Sequence, residues 1–248
     1  MNAKTLTTLL LATLFSLNAL GGETRVAVAA NFTAPMKEIA AAFRKSSGHH
    51  INLSFGSSGK LLAQIQNGAP FDIFLSADTA KPAALLKAGQ AVAGSDFTYA
   101  VGTLVLWSGG SDDARAILDS GHYRKLAIAN PRLAPYGAAA LQTLEKLGLA
   151  GSAKPKLVSG ENIAQTYQFV ASGNADIGFV ALSQIIKNGR APAGAWVVPA
   201  KLHTPIRQDA VLLSRASTNE AAKALIKFLR SDAATAIIRH YGYGISNN

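Results

Sequence analysis

Gly56-Ser57-Ser58-Gly59 sits between an apolar run and a helical pattern, with Lys60 directly after it. Serine hydroxyls so placed can attack as nucleophiles, cradle an anion beside free backbone N–H groups, or cap the helix. Ser57-x-x-Lys60 fits S-x-x-K, which opens the motif set of exported penicillin-binding proteins and β-lactamases, but the companion S-D-N and K-T-G motifs are absent. The G-x-S-x-G elbow is absent too, because neither serine has glycine at both second neighbours. A Ser–His–Asp triad would need His49, His50, His122, His203 or His240, and none lies in a loop assigned to the same cleft. The phosphate loop G-x-x-x-x-G-K-[ST] fails because Gly59-Lys60 runs into Leu61. No H-E-x-x-H, paired histidine or EF-hand spacing offers a metal site.

Donor chemistry remains. A strand–Gly–Ser–Ser–Gly–helix junction presents unpaired backbone N–H groups at the positive end of the helix dipole, and the hydroxyls can donate as well. Glycines let a ligand approach the main chain. Taken alone, Ser57 or Ser58 could equally be an ordinary N-cap. The elements around them bear on that choice.

Arg25–Ala30 alternates, with β-branched Val26 and Val28, and reads as a strand. Met36, Ile39, Ala40 and Phe43 fall at helical spacing after Pro35 and stop at Gly48. Ile51–Gly56 is a second strand, and Leu61, Leu62 and Ile65 give the helix after the serines. Phe71–Leu75 and a helix over Lys81–Ala88 follow. A second βα series runs through Leu126–Pro131, Tyr136–Leu147, Leu157–Gly160, Ile163–Ser172 and Asp176–Leu182. Two long β-rich runs, Thr98–Trp107 and Thr204–Ser214, could carry the chain between two lobes and back, with crossings near Ala100–Leu104 and Arg207–Val211. Helices Asn219–Arg230 and Asp232–Tyr241 close the chain on the first lobe. Alternating strands and helices predict two α/β lobes, each with a mostly parallel sheet flanked by helices. Four strand-to-helix loops (AANFTAP, FGSSG, ANPRLAPYG and SGENIAQ) then gather at carboxyl ends of strands, where such sheets bind ligands.

The bulk numbers narrow the classes. Residues 1–22 combine Lys4, an apolar run over Leu6–Leu20 and small residues at Gly21-Gly22, as in a cleaved export signal. The absence of cysteine removes disulfides, thiolate catalysis and a lipid anchor at the cleavage site. A net charge of +10 invites nucleic acid, but the basic residues are scattered and not interleaved with aromatics, so no nucleic-acid partner is expected. A solvated basic surface that draws in anions is the plainer reading.

VAVAANFTAPM, FGSSGKLLAQIQNGAPFDIFLSAD, ANPRLAPYG, SGENI with IGFVAL, and YGYGI together resemble the molybdate-binding proteins of bacterial ABC importers, over roughly Thr24–Ile245. The resemblance implies a type II periplasmic binding protein, with two crossover strands as hinge. Its first lobe would take residues 24–102 and 206–248, and its second 103–205. It implies a periplasmic monomer with no enzymatic activity and no cofactor, which binds molybdate or tungstate and hands it to a membrane permease. Molybdenum would be held only as the oxyanion, by neutral donors. Carried over by position, these are Asn31 through its backbone N–H (its side chain left open), Ser58 supported by Ser57, Tyr136, and the backbone N–H of Ile163. Some members place a tyrosine in the segment matching GFVAL, where this chain has Ala181. Others keep it in the Pro-Tyr-Gly loop, as Tyr136 does here. A fully deprotonated dianion accepts only, so the absence of Asp and Glu from FGSSG and LAPYG agrees. Glu161 is expected to point outward, and Asp72 and Asp78 to be structural. A receptor for another tetrahedral oxyanion such as sulfate, or an exported Ser–Lys hydrolase, are the alternatives.

Overall fold

The computed structural model describes residues 21–187 and 189–245. The expected leader over residues 1–22 lies almost wholly outside them.

Two five-stranded sheets form the two lobes. The first is built from β1 (Glu23–Ala29), β2 (His50–Gly56), β3 (Ile73–Leu75), β4 (Phe97–Gly102) and, from the far end of the chain, β10 (Ile206–Leu212). The second takes β5 (Leu104–Trp107), β6 (Leu126–Ala129), β7 (Leu157–Gly160), β8 (Ile177–Ala181) and β9 (Trp196–Val197). Their orders are β2-β1-β3-β10-β4 and β7-β6-β8-β5-β9, the same plan twice. In each sheet the first three strands pair in parallel, and the fourth, β10 or β5, runs against both its neighbours. The reversed strand is in each case the one that brings the chain in from the other lobe. Parallel neighbours need a crossover element, and the helices supply it.

Helix α1 (Thr33–Ser47) buries Met36, Ile39 and Phe43 on the first sheet, and Gly48, at φ 73°, ends it in the left-handed conformation. Each of those side chains contributes about 1.5–3 kcal/mol by its burial, so Phe43→Ala would undo much of the contact. Leu61 and Ile65 seat α2 (Ser58–Gln66), and Leu85 seats α3 (Ala80–Lys87). In the second lobe come α4 (Ala114–Ser120), α5 (Pro135–Lys146), α6 (Ala150–Ala153), α7 (Ile163–Ala171) and α8 (Leu182–Ile185). The amphipathic α9 (Glu220–Leu229) and α10 (Asp232–His240) return to the first lobe, where Leu225, Leu229 and Ile238 join Met36 and Phe43 in one core.

The run Thr98–Trp107 divides at Thr103 into β4 and β5, which belong to different sheets, so the first crossing is a single residue wide. The return crossing lies before Ile206, because Arg207–Val211 is already paired inside the first sheet. Sequence reasoning passed over α4 and β9. The first is announced by Asp113, whose carboxylate accepts the Arg115 and Ala116 N–H groups, and the second is two residues long.

Candidate functional site

The loops after β1, β2, β3, β6 and β7 converge on one cavity between the lobes. Its walls are Ala29, Ala30 and Asn31; Gly56, Ser57 and Ser58; Ala77; Ala134, Pro135 and Tyr136; and Asn162 with Ile163. All five residues singled out by sequence therefore meet there, and all are buried: Asn31, Ser57, Ser58, Tyr136 and Ile163. The cavity is small, with room for little more than one water-sized sphere in this structure, too small for a sugar or peptide. No charged side chain and no histidine lines it.

Each donor is set by its local structure. Ser57 occupies the N-cap position of α2 with extended backbone (φ −69°, ψ 145°), yet its side chain caps nothing. Among the described residues, its Oγ is a buried polar atom without a hydrogen-bond partner. A buried hydroxyl left unsatisfied costs roughly 1–3 kcal/mol, so an acceptor in the cavity is what this residue fits. Ser58 Oγ accepts the Ala77 N–H at 2.9 Å, which leaves its own proton to be donated. At α7 the cap is Asn162, whose Oδ1 accepts the N–H groups of Ala164 (2.9 Å) and Gln165 (3.1 Å). Ile163 lines the cavity at the first helical position, where its N–H has no intrahelical acceptor.

Asn31 uses both protons of its side-chain amide inside the protein. Its Nδ2 donates to Gln208 Oε1 at 2.8 Å and to the Tyr243 hydroxyl at 3.0 Å, so the side chain is committed to the protein. The backbone of Asn31 is what it can offer the cavity. Tyr136 reaches the cavity from the start of α5, and its hydroxyl accepts from Gln208 Nε2 at 3.2 Å. Burial, with the neighbouring Tyr243, pushes its pKa well above the ordinary phenol value. Burial likewise raises Tyr243 to about 12, so both remain protonated donors through neutral pH.

The acidic residues stand where the sequence put them. Glu161 is exposed and meets Lys60 across the cleft mouth at 3.4 Å. Asp72 accepts the Arg25 N–H at 2.8 Å, and Asp78 accepts the Lys81 N–H at 3.0 Å. A larger groove beside the cavity holds that Asp78–Lys81 pair with Gln142 and Arg207, and its mixed charge suits a bare dianion less well. Ala181 ends β8 and does not line the cavity.

Sequence reasoning missed a buried polar network behind the cavity. Gln208 is fully buried on β10, where it joins Asn31, Tyr99 and Tyr136. Tyr243 and Ser183 each donate to the Asn31 carbonyl, at 2.7 and 2.9 Å. One signal existed: Gln208 falls between Ile206 and Ala210 on the apolar face of a strand.

Comparison with known proteins identifies the fold that holds this cavity. The family model for bacterial extracellular solute-binding proteins matches residues 24–244. The molybdate-binding protein ModA of Azotobacter vinelandii is 55% identical over 231 residues, covering 92% of each chain. That of Rhodobacter capsulatus is 50% identical, over 92% of this chain and 90% of its own. The solved periplasmic molybdate-binding protein of Azotobacter vinelandii superposes with a TM-score of 0.86 at 39% identity, over 90% of this chain and all of that one. With its two-lobed fold, a cavity between the lobes and a match over nearly the whole described chain, the protein belongs to the bacterial extracellular solute-binding protein family.

Proposed function

We propose that this protein captures molybdate, and tungstate with it, in the interlobe cavity and delivers it to the permease of an ABC importer. The observation that carries the reading is the lining itself: uncharged donors around a small buried space, with the Ser57 hydroxyl unsatisfied and no carboxylate present. Molybdate at neutral pH carries no proton and accepts from every side, so such a lining suits it. A protonated phosphate would want an acceptor that the lining withholds. The relatives named as molybdate-binding proteins support the same ligand.

In this reading the contacts come from the hydroxyls of Ser57, Ser58 and Tyr136 and the backbone N–H groups of Asn31, Ser58 and Ile163. The first lobe comprises residues 24–102 and 206–248, the second 103–205. The protein acts as a periplasmic monomer, freed from its leader near residues 21–22, and carries out no reaction on its cargo.

Isothermal titration with molybdate, tungstate, sulfate and phosphate tests this. One molybdate or tungstate per chain should bind tightly, with phosphate silent. Phosphate binding of comparable strength would overturn the oxyanion assignment, and sulfate binding tighter than molybdate would make the protein a sulfate receptor.

A further inference from the structure

The buried network behind the cavity has a direction. Gln208 Oε1 accepts from Asn31 Nδ2 at 2.8 Å and lies 3.0 Å from the Tyr99 hydroxyl, whose one proton is shared with the Ser76 carbonyl at 3.0 Å. The bond from Asn31 sets which way the amide faces, and its Nε2 is thereby turned to the Tyr136 oxygen at 3.2 Å. A phenol oxygen that accepts from an amide N–H sends its own proton elsewhere. The other hydroxyl beside it belongs to Tyr243, whose oxygen takes a proton from Asn31 Nδ2 at 3.0 Å and is also hydrogen-bonded to Tyr136, which can donate to it. An anion in the cavity that Tyr136 lines would be the stronger acceptor for that proton, and would draw it from Tyr243. Gly102 keeps the junction tight: a Cβ there would lie 2.1 Å from the Tyr136 hydroxyl and 2.6 Å from Gln208 Nε2.

We propose that Gln208 is a positioning residue for anion binding, which donates to the Tyr136 hydroxyl oxygen and so makes Tyr136 a donor to the cavity. The inference rests on the reading that Tyr136 contacts the anion. It gives the site a means of favouring an oxyanion without protons: with its lone pair engaged by Gln208, Tyr136 offers a ligand only its hydrogen. Because Gln208 lies on β10 of the first lobe and Tyr136 on α5 of the second, the orientation is set as the lobes meet.

A double-mutant cycle in molybdate affinity tests this by calorimetry, with thermal unfolding of each variant alongside. Tyr136→Phe should weaken binding roughly 10- to 150-fold, as for a lost hydrogen bond to a charged group. Gln208→Met should weaken it about fivefold in the parent, yet by less than twofold in the Tyr136→Phe background. If Gln208→Met weakens binding equally in both backgrounds, Gln208 merely supports the fold and the inference is overturned. If Tyr136→Phe alone binds as tightly as the parent, the assignment of Tyr136 to the site fails, and this inference with it.

Gln208→Glu carries the test should Gln208→Met not fold. A neutral carboxylic acid at this position can donate to Tyr136 as the amide does, whereas a carboxylate would draw the Tyr136 proton back to itself. Facing position 208 are the Asn31 amide and the Tyr99, Tyr136 and Tyr243 phenols, all three held protonated by burial, with the charges of Asp78 and Asp209 acting through Tyr99. The variant should therefore bind near the parent's affinity at low pH and lose it as the introduced carboxyl ionises, while the parent's profile stays flat. Loss of binding at every pH would overturn the inference.

Discussion

The Gly59 N–H of the first lobe donates to the Leu133 carbonyl of the second at 2.9 Å, one residue from Ser58. A side chain would crowd this approach: a Cβ at position 59 would lie 3.0 Å from Leu133 Cα and 3.2 Å from Leu133 O, so the Leu133 backbone would have to give by a few tenths of an ångström. The contact belongs to the closed arrangement of the lobes. Gly59→Ala should therefore overpack that arrangement by about 1–3 kcal/mol and weaken molybdate roughly 5- to 150-fold by calorimetry. The thermal midpoint of the ligand-free protein should not fall, since alanine suits a helix better than glycine. Unchanged affinity would show that binding does not require so close an approach. Scattering from the parent should meanwhile show a smaller radius of gyration once molybdate is added.

Ser57 separates capping from ligand binding. Replacing a capping serine with alanine costs about 1 kcal/mol of stability. Ser57 makes no capping bond, so Ser57→Ala should leave the unfolding midpoint of the ligand-free protein where it was. Molybdate binding should weaken roughly 10- to 150-fold, as for a lost bond to a charged group. A lowered midpoint with intact affinity would reverse the assignment.

The Lys60–Glu161 pair closes the cleft mouth in plain view of solvent, with side chains 56% and 68% exposed. Exposed pairs contribute ~0–1 kcal/mol. Lys60→Met should change molybdate affinity by less than about fivefold, and the difference from the parent should vanish in 1 M salt. A larger, salt-resistant loss would place Lys60 in contact with the ligand.

Alkaline stability reports on the buried phenols. Tyr243 holds its proton to about 12 in the folded protein, whereas an unfolded tyrosine releases it near ~10. Between those values the folded state binds more protons than the unfolded one, so stability is complete below pH ~10 and falls as the pH rises toward 12. The loss from Tyr243 is on the order of 3 kcal/mol. Urea denaturation should show Tyr243→Phe with a shallower decline above pH ~10 than the parent. Equal slopes would remove Tyr243 from the account.

Much of this was legible in the chain. The strands and helices that carry Ser57, Ser58 and Ile163 follow from local periodicity, the apolar spacing of Leu61, Leu62 and Ile65 among it, whose reach is only a few residues. Their meeting in one cavity follows from the rule that ligands gather at the carboxyl ends of parallel strands. Gln208 was hidden because its partners are remote: Asn31 is 177 residues away and Tyr136 72. A polar residue on an apolar strand face announces that it needs partners, but not which. The same distance concealed the commitment of Asn31's side chain, whose bond to Tyr243 spans 212 residues. Thr103 was hidden for another reason, since two strands of different sheets joined by one residue read as a single strand.

The placement of β10 between β3 and β4 also orders events in time. A growing chain completes every strand of the second sheet by Val197, before any of β10 exists. Until Ile206–Leu212 arrive, β3 and β4 have no common partner, and the first lobe is left with one side of its sheet unpaired. A lobe begun first is thus finished last, and a polypeptide bound for export would keep that half threadable until synthesis is nearly over. Chains truncated at Pro205 should show amide protection in the second lobe while β4 exchanges freely; protection of β4 in such a fragment would refute this order of assembly.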